Sequence, residues 1–304
     1  MRDDLTRREF LKRAAALGAA AAGLAQLAGL DDMAEAAGGP TIAVASKKDP
    51  AGLVRAAVGA LGGMGRFVKK NDVVLVKPNI GWARKPDQAA TTNPAVVAEI
   101  VRLCKQAGAR QVKVMDHAVD RPDSLLLGMT GIDAAVRKLG VRATMASSPA
   151  FYERVALRKG KAITSADVMR DLRRADVWIN VPIAKVHNST GLTLGIKNLL
   201  GVVWDRGAFH GSSSLDQALV DLMSEIRPNL TILDAVRILL TNGPKGPGRT
   251  EDRNIVVAGT DPVAVDAYGA SLFRMSPSQI AHIRLAGAAG LGEIDLKRVT
   301  IKNV

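Results

Sequence analysis

The chain has 304 residues, of which 47% are hydrophobic and 23% charged, with a formal net charge of +13. That length suits a domain with a substantial buried core, and the composition excludes a disordered, collagen-like or polytopic membrane chain. A single cysteine, Cys104, allows no internal disulfide and no iron–sulfur cluster held by four cysteines of this chain. Five Phe, two Tyr and three Trp are too few for the stacking platforms that hold single-stranded nucleic acid.

Residues 1–36 are set apart. Thr6-Arg7-Arg8-Glu9-Phe10-Leu11-Lys12 has the paired arginines, the apolar pair and the basic residue of a twin-arginine export signal. An Ala- and Gly-rich stretch, Ala14 to Leu30, follows; it is too weakly apolar for a convincing membrane span. Ala34-Glu35-Ala36 then fits a processing site. The expected organisation is a signal peptide over residues 1–36 and one α/β domain over 37–304. The expected partners are the twin-arginine translocase during export and a small anionic ligand, and the expected location is periplasmic or extracellular. Cleavage removes five basic and six acidic residues and leaves +14. A basic surface favours anionic partners; no helix-turn-helix or zinc-finger pattern accompanies it, so nucleic acid is not among them.

Beyond the signal, short apolar β-branched runs alternate with amphipathic stretches, the pattern of an α/β fold with a mainly parallel sheet flanked by helices. Strands are expected at 42–45, 73–77, 112–116, 141–145, 177–181, 230–234, 255–258 and 299–301. Helices are expected at 53–61, 95–107, 133–139, 166–174, 215–226, 263–272 and 279–289. The run Val97, Ile100, Val101, Cys104 has helical spacing and puts the cysteine in the core.

Polar residues stand directly after the apolar runs: Lys77-Pro78-Asn79, Asp116-His117, Asn180, Asp234 and Asp261-Pro262. In an open α/β sheet the ligand crevice lies outside the carboxyl ends of the strands. Asp261 and Asn93 serve equally well as helix caps. The densest cluster is Asn180 to Gly201, where Lys185, His187, Lys197 and Asn198 lie among three glycines, a composition suited to close approach of an anion. His282 falls inside a predicted helix and reads as structural. The loop TNGPKGPGRT, Thr241 to Thr250, lacks the order of a Walker motif and reads as a surface connection, the alternative being a lid that brings Lys245 or Arg249 to an anion.

The ordered set KPN at Lys77, TTNP at Thr91, the strand ending in Asp116, NVPIAKVH followed by GIKNLLG, Asp234, GPKGPG from Gly243 and DPVAVDA from Asp261 resembles the DUF362 family over nearly the whole chain after the signal. Ile183 and Val186 depart from the family pattern, and the single cysteine excludes the ferredoxin-like cassette of some relatives. The resemblance implies an α/β fold and a site at the strand ends; the family's activity is unknown.

A more distant similarity is to the N-terminal domain of lactate racemases, in which a histidine is followed ten positions later by a lysine and then by a further histidine. That resemblance implies that Lys197 is the attachment point of a nickel-type lysine-bound cofactor, with His187 and His117 moving a proton or hydride and His210 helping to hold the metal. The assignments carried forward are thus His187, Lys197 and His117 as catalytic, and Lys77, Asn79, Lys185 and Asn198 as substrate-binding. His210, Asp116 and Asp234 are the candidate ligands of a divalent metal. The function expected is an enzyme, of isomerase or racemase type, acting on a small anionic substrate. The alternatives are a non-catalytic binding protein for an anion and an accessory factor for an exported metalloprotein.

Overall fold

The computed structural model describes residues 39–120 and 122–304, so the expected signal lies outside the described residues. Twelve strands are present among the described residues: β1 (Thr41–Ser46), β2 (Val73–Pro78), β3 (Gln111–Asp116), β4 (Ala143–Met145), β5 (Tyr152–Ala156), β6 (Ser165–Met169), β7 (Val177–Val181), β8 (Ile183–His187), β9 (Gly191–Thr193), β10 (Leu230–Leu239), β11 (Thr250–Gly259) and β12 (Thr300–Asn303). The α-helices are α1 (Pro50–Ala60), α2 (Pro94–Gln106), α3 (Asp123–Thr130), α4 (Ile132–Arg137), α5 (Arg170–Arg174), α6 (Gly195–Asn198), α7 (Arg206–His210), α8 (Leu215–Glu225), α9 (Pro262–Ser271) and α10 (Ala281–Ala288).

The main sheet runs β12-β1-β11-β10-β7-β2-β3-β4. All neighbours pair in parallel except β11, which is antiparallel to both β1 and β10. Side chains along each strand alternate between the two faces. Val74 and Val76 of β2, with Val177 and Ile179 of β7, pack into a core completed by Leu53 of α1 and Val97, Ile100 and Cys104 of α2. Leu75, Trp178, Leu233 and Val257 face the opposite core with Leu219 of α8, Val263 of α9 and Ile283 of α10.

Caps fix the helix starts as the sequence suggests. Asn93 Oδ1 accepts the amide of Ala95 at 2.9 Å, and Asp261 Oδ1 accepts those of Val263 and Ala264 at 2.8 and 3.1 Å. Proline follows both caps, where its missing N–H costs nothing.

One expectation is overturned: Ala166 to Arg174 is not one helix. Its first half is β6, the second strand of the antiparallel hairpin β5–β6, and only Arg170–Arg174 is helical. Ala166 and Val168 alternate with polar neighbours, and the partner strand β5 decides between two periods that a short segment satisfies equally. No helix among the described residues is long and apolar enough to cross a membrane.

Candidate functional site

Chain order places β3 and β4 on one side of β2, and β7 and β10 on the other. The crossover therefore changes direction at β2 and β7, and their carboxyl ends flank the crevice expected of such a reversal. Lys77 of β2 and Asn180 of β7 sit in register there, and Asp116 closes β3 beside them. The sequence after β7 then doubles back as the hairpin β8–β9 and enters the single turn α6, which brings Lys185, His187, Lys197 and Asn198 over the same edge.

A cavity of about 690 Å³ opens there, lined by Lys77, Asn79, Asp116, His117, Lys185, His187, Lys197, Asn198 and His210 among others. Nine of the ten residues singled out above therefore meet at one place. Asp234 does not. Its buried carboxylate accepts the amides of Asn93 at 2.6 Å and Val236 at 3.0 Å, tying the start of α2 to β10. Burial pushes this carboxyl up to about 6.

The floor is a buried polar network around one ion pair. Lys77 Nζ is 2.8 Å from Asp116 Oδ1 and donates to the carbonyl of Pro78 at 2.8 Å and to Asn198 Oδ1 at 2.9 Å. An ammonium has three N–H groups, so Lys77 has none left for a ligand and serves as scaffold. Asn198 Oδ1 also accepts Asn79 Nδ2 at 2.9 Å, and its Nδ2 donates to Asn180 Oδ1 at 2.8 Å. Asp116 Oδ2 takes the amide of Ile80 at 2.6 Å. Gly201 lies directly over the ion pair; a Cβ there would come within 2.2 Å of Asp116 Oδ1 and 2.4 Å of Lys77 Nζ.

Above this floor stand two further lysines. Lys185 is 1% exposed and donates to the Ala90 carbonyl at 2.5 Å and to Asn79 Oδ1 at 3.2 Å. Burial, reinforced by the charge of Lys197, lowers its pKa to about 7. Lys197 is 7% exposed and has no hydrogen-bond or ion-pair partner among the described residues. Burial and the charge of Arg206 lower its pKa to about 8.

Three histidines surround them. His187 Nδ1 accepts the amide of Ser189 at 3.1 Å, so Nε2 carries the proton, and burial with the neighbouring lysines lowers its pKa to about 3. The ring is neutral at physiological pH and offers a donor. His117 Nδ1 donates to the Val203 carbonyl at 2.8 Å, and its ring stacks on Trp204 at 5.2 Å. His210 ends α7 on the cavity rim, its pKa lowered by partial burial and by Lys197. His282 is buried, its Nδ1 donating to Asp216 Oδ1 at 2.9 Å.

Sequence reasoning missed Arg206, which lines the cavity and donates to the carbonyls of His117 and Ala118 at 3.1 and 2.6 Å. No strand end or motif points to it; α7 brings it there. The 241–250 loop, expected as a surface connection or as a lid carrying Lys245 or Arg249, contributes Asn242 to Lys245 to the cavity wall. Gly243 makes this possible, since a Cβ there would meet the Val186 carbonyl at 1.9 Å. Lys245 reaches Asp120 at 3.4 Å and lies over the Trp82 ring at 5.5 Å.

The expected metal ligands do not form a set. Asp116 is committed to Lys77 and Ile80, Asp234 is outside the cavity, and among the described residues no cluster of three metal-ligating side chains exists. A group carried covalently by Lys197 fits the residues present: the amine is buried, without a partner among the described residues, and lines the cavity that His187 and His210 also line.

The DUF362 family model, a domain of unknown function, matches residues 74–271. This chain belongs to the DUF362 family. The match spans β2 to the end of α9, and so contains every cavity residue named above. The thylakoid-associated protein sll1697 of Synechocystis is 29% identical over 250 residues, covering 76% of this chain and 72% of the relative. Among solved structures, the lactate racemase apoprotein of Thermoanaerobacterium thermosaccharolyticum matches with a TM-score of 0.51 at 12% identity, over 78% of this chain and 57% of the racemase. The chain thus spans little more than half of that enzyme, and the likeness is one of fold. A protein of Thermotoga maritima matches with a TM-score of 0.43 at 12% identity, over 80% of this chain and 60% of its own.

Proposed function

We propose that this chain is an enzyme acting on a small carboxylate or phosphate held in the cavity, with Lys197 as its covalent centre. The observation that carries this reading is Lys197 itself. A buried ammonium without a partner costs several kcal/mol. The chain can relieve that cost in two ways: by releasing the proton, which makes the amine a nucleophile, or by binding an anion. Lys185 and Arg206 add positive charge on the same cavity, and this favours an anionic ligand.

The residues divide by what they have left to offer. Lys77 and Asp116 hold the floor rigid. Asn79 and Asn198 each keep one amide N–H for a substrate oxygen, Lys185 supplies charge, and His187 donates from Nε2. His117 and His210 are the groups that accept or return a proton. A cofactor attached through Lys197 would supply Lewis-acid or redox chemistry at the carbon beside the carboxylate. The Arg7-Arg8 signal extends the proposal to export by the twin-arginine route, with the protein working outside the cytoplasm.

Differential scanning fluorimetry with lactate, oxaloacetate and phosphate, each against sodium chloride at equal ionic strength, tests the binding. Stabilisation of the wild type that is lost in Lys197→Met supports the proposal, and equal effects of acids and chloride overturn it. Intact mass and peptide mapping of protein from the native host test the covalent role. An adduct on the Lys197 peptide supports it, whereas an unmodified peptide in active protein leaves anion binding as the lysine's task.

A further inference from the structure

The segment DPVAVDA holds two carboxylates, and they do different work. Asp261 caps its own helix. Asp266, further along α9, is fully buried and faces another element: its Oδ1 accepts the amide of Gly195 at 2.6 Å and its Oδ2 that of Ile196 at 2.8 Å. These are the first two N–H groups of α6, the single turn that carries Lys197 and Asn198.

The first amides of any helix lack an intrahelical acceptor, and one turn cannot sustain itself. Leu194, at the N-cap position, supplies no side-chain acceptor. The turn closes through the amide of Asn198 on the carbonyl of Leu194 at 3.0 Å and the amide of Leu199 on the carbonyl of Ile196. Asn180 Nδ2 steadies the Gly195 carbonyl at 3.0 Å. Gly195 is required for the approach, because a Cβ there would lie 2.8 Å from Asp266 Oδ1.

The geometry points to Asp266 as a positioning residue for Lys197, holding the amino end of α6 from behind so that the amine enters the cavity at a fixed place. This rests on the functional reading of Lys197 given above. Burial raises the Asp266 carboxyl to about 7 against the pull of the two amides. The chain thus keeps a carboxylate where burial disfavours its charge, because two parallel N–H groups need two acceptor oxygens on one side chain.

Asp266→Asn keeps the size but offers one oxygen, and sets its NH2 against the second amide. Lys197 is followed by short pulses of acetic anhydride across pH, read on its peptide, with the exposed Lys69 and Lys70 as internal standards. In the wild type the midpoint should lie near 8. In Asp266→Asn we expect it to rise by about one pH unit or more, toward the value of a solvated lysine, with Lys69 and Lys70 unchanged. Gly195→Ala, which strains the same contact from the other side, should move it in the same direction.

A purely structural role would lower the melting temperature and leave the Lys197 midpoint in place. A folded Asp266→Asn protein with the wild-type midpoint overturns the inference. If neither variant folds, amide exchange in the wild type decides. Protection of the Gly195 and Ile196 amides supports the anchor, and exchange at the rate of an unstructured chain overturns it. Failure of acids to stabilise the wild type would remove the functional reading of the cavity while leaving the Lys197 shift measurable.

Discussion

The Lys77 ammonium and the Asp116 carboxylate meet at 2.8 Å across the carboxyl ends of adjacent parallel strands, with side chains 1% and 2% exposed. Gly201 covers them, Lys77 donates further to Asn198 and the Pro78 carbonyl, and the Ile80 amide donates to Asp116 Oδ2. The pair joins β2, β3 and α6 into one platform, on which the reactive side chains stand. Burial lowers the Lys77 pKa and the Asp116 charge raises it, with burial the larger effect.

Breaking that pair from one side should be costly. Lys77→Met strands a buried carboxylate and is expected to lower the unfolding free energy by about 3–5 kcal/mol, measured by urea denaturation. The double variant Lys77→Met/Asp116→Leu should recover a large part of the loss, since two apolar groups leave no charge uncompensated. A double variant no more stable than the single would show that the pair itself, and not the stranded charge, supplies the stability.

Binding of an acid should weaken as pH rises. The pKa values of Lys185 and Lys197 are lowered to about 7 and about 8. Both amines are therefore charged at pH 6 and largely neutral at pH 9. Thermal stabilisation by phosphate or a carboxylate should be strong at pH 6 and mostly absent at pH 9, with proton uptake on binding near pH 8. The sign for folding is opposite. A lysine whose folded pKa lies below its unfolded value binds fewer protons in the fold, so each destabilises the fold fully below its folded pKa, about 7 for Lys185 and about 8 for Lys197, and stability rises with pH from there to about 10.5.

Cys104 should be silent to thiol reagents in the native state. It sits on α2 facing the core, fully buried, and burial pushes its thiol up to about 12. Iodoacetamide at pH 8 should label it only in denaturant, and the native labelling rate should report opening of that core. Rapid labelling of folded protein would contradict the packing described.

Export should depend on the arginine pair. Replacing Arg7 and Arg8 together by lysine is expected to hold the precursor inside the cell, and protein exported from the unaltered gene should begin at Ala37. Fractionation with N-terminal mass analysis reads both outcomes, and undiminished export of the lysine variant would remove the assignment.

Much of the fold was legible because its signals are local. The apolar runs at 73–77, 112–116 and 177–181 need only a two-residue period, and Asn93-Pro94 and Asp261-Pro262 announce helix starts with chemistry confined to a few residues. The same locality misled at Ala166 to Arg174, where only pairing with β5 selects the strand. The segment Ile183 to Thr193 carried the site motif, yet its glycine and turn residues hid the β8–β9 hairpin.

The sequence by itself named the residues that gather at the strand ends, since chain direction carries whatever follows a parallel strand to the same edge. What each one does was decided by the tertiary structure. Lys77 and Lys197 read alike as lysines of the strand-end site, but three acceptors saturate the first and none among the described residues meets the second. Asp116 and Asp234 read alike as carboxylates after a strand, but one joins the cavity floor and the other ties α2 to β10. Asp266 read as part of a helix and proves to hold a different one. The number of hydrogen bonds a side chain has left depends on neighbours far away in sequence, and only the folded chain brings those neighbours together.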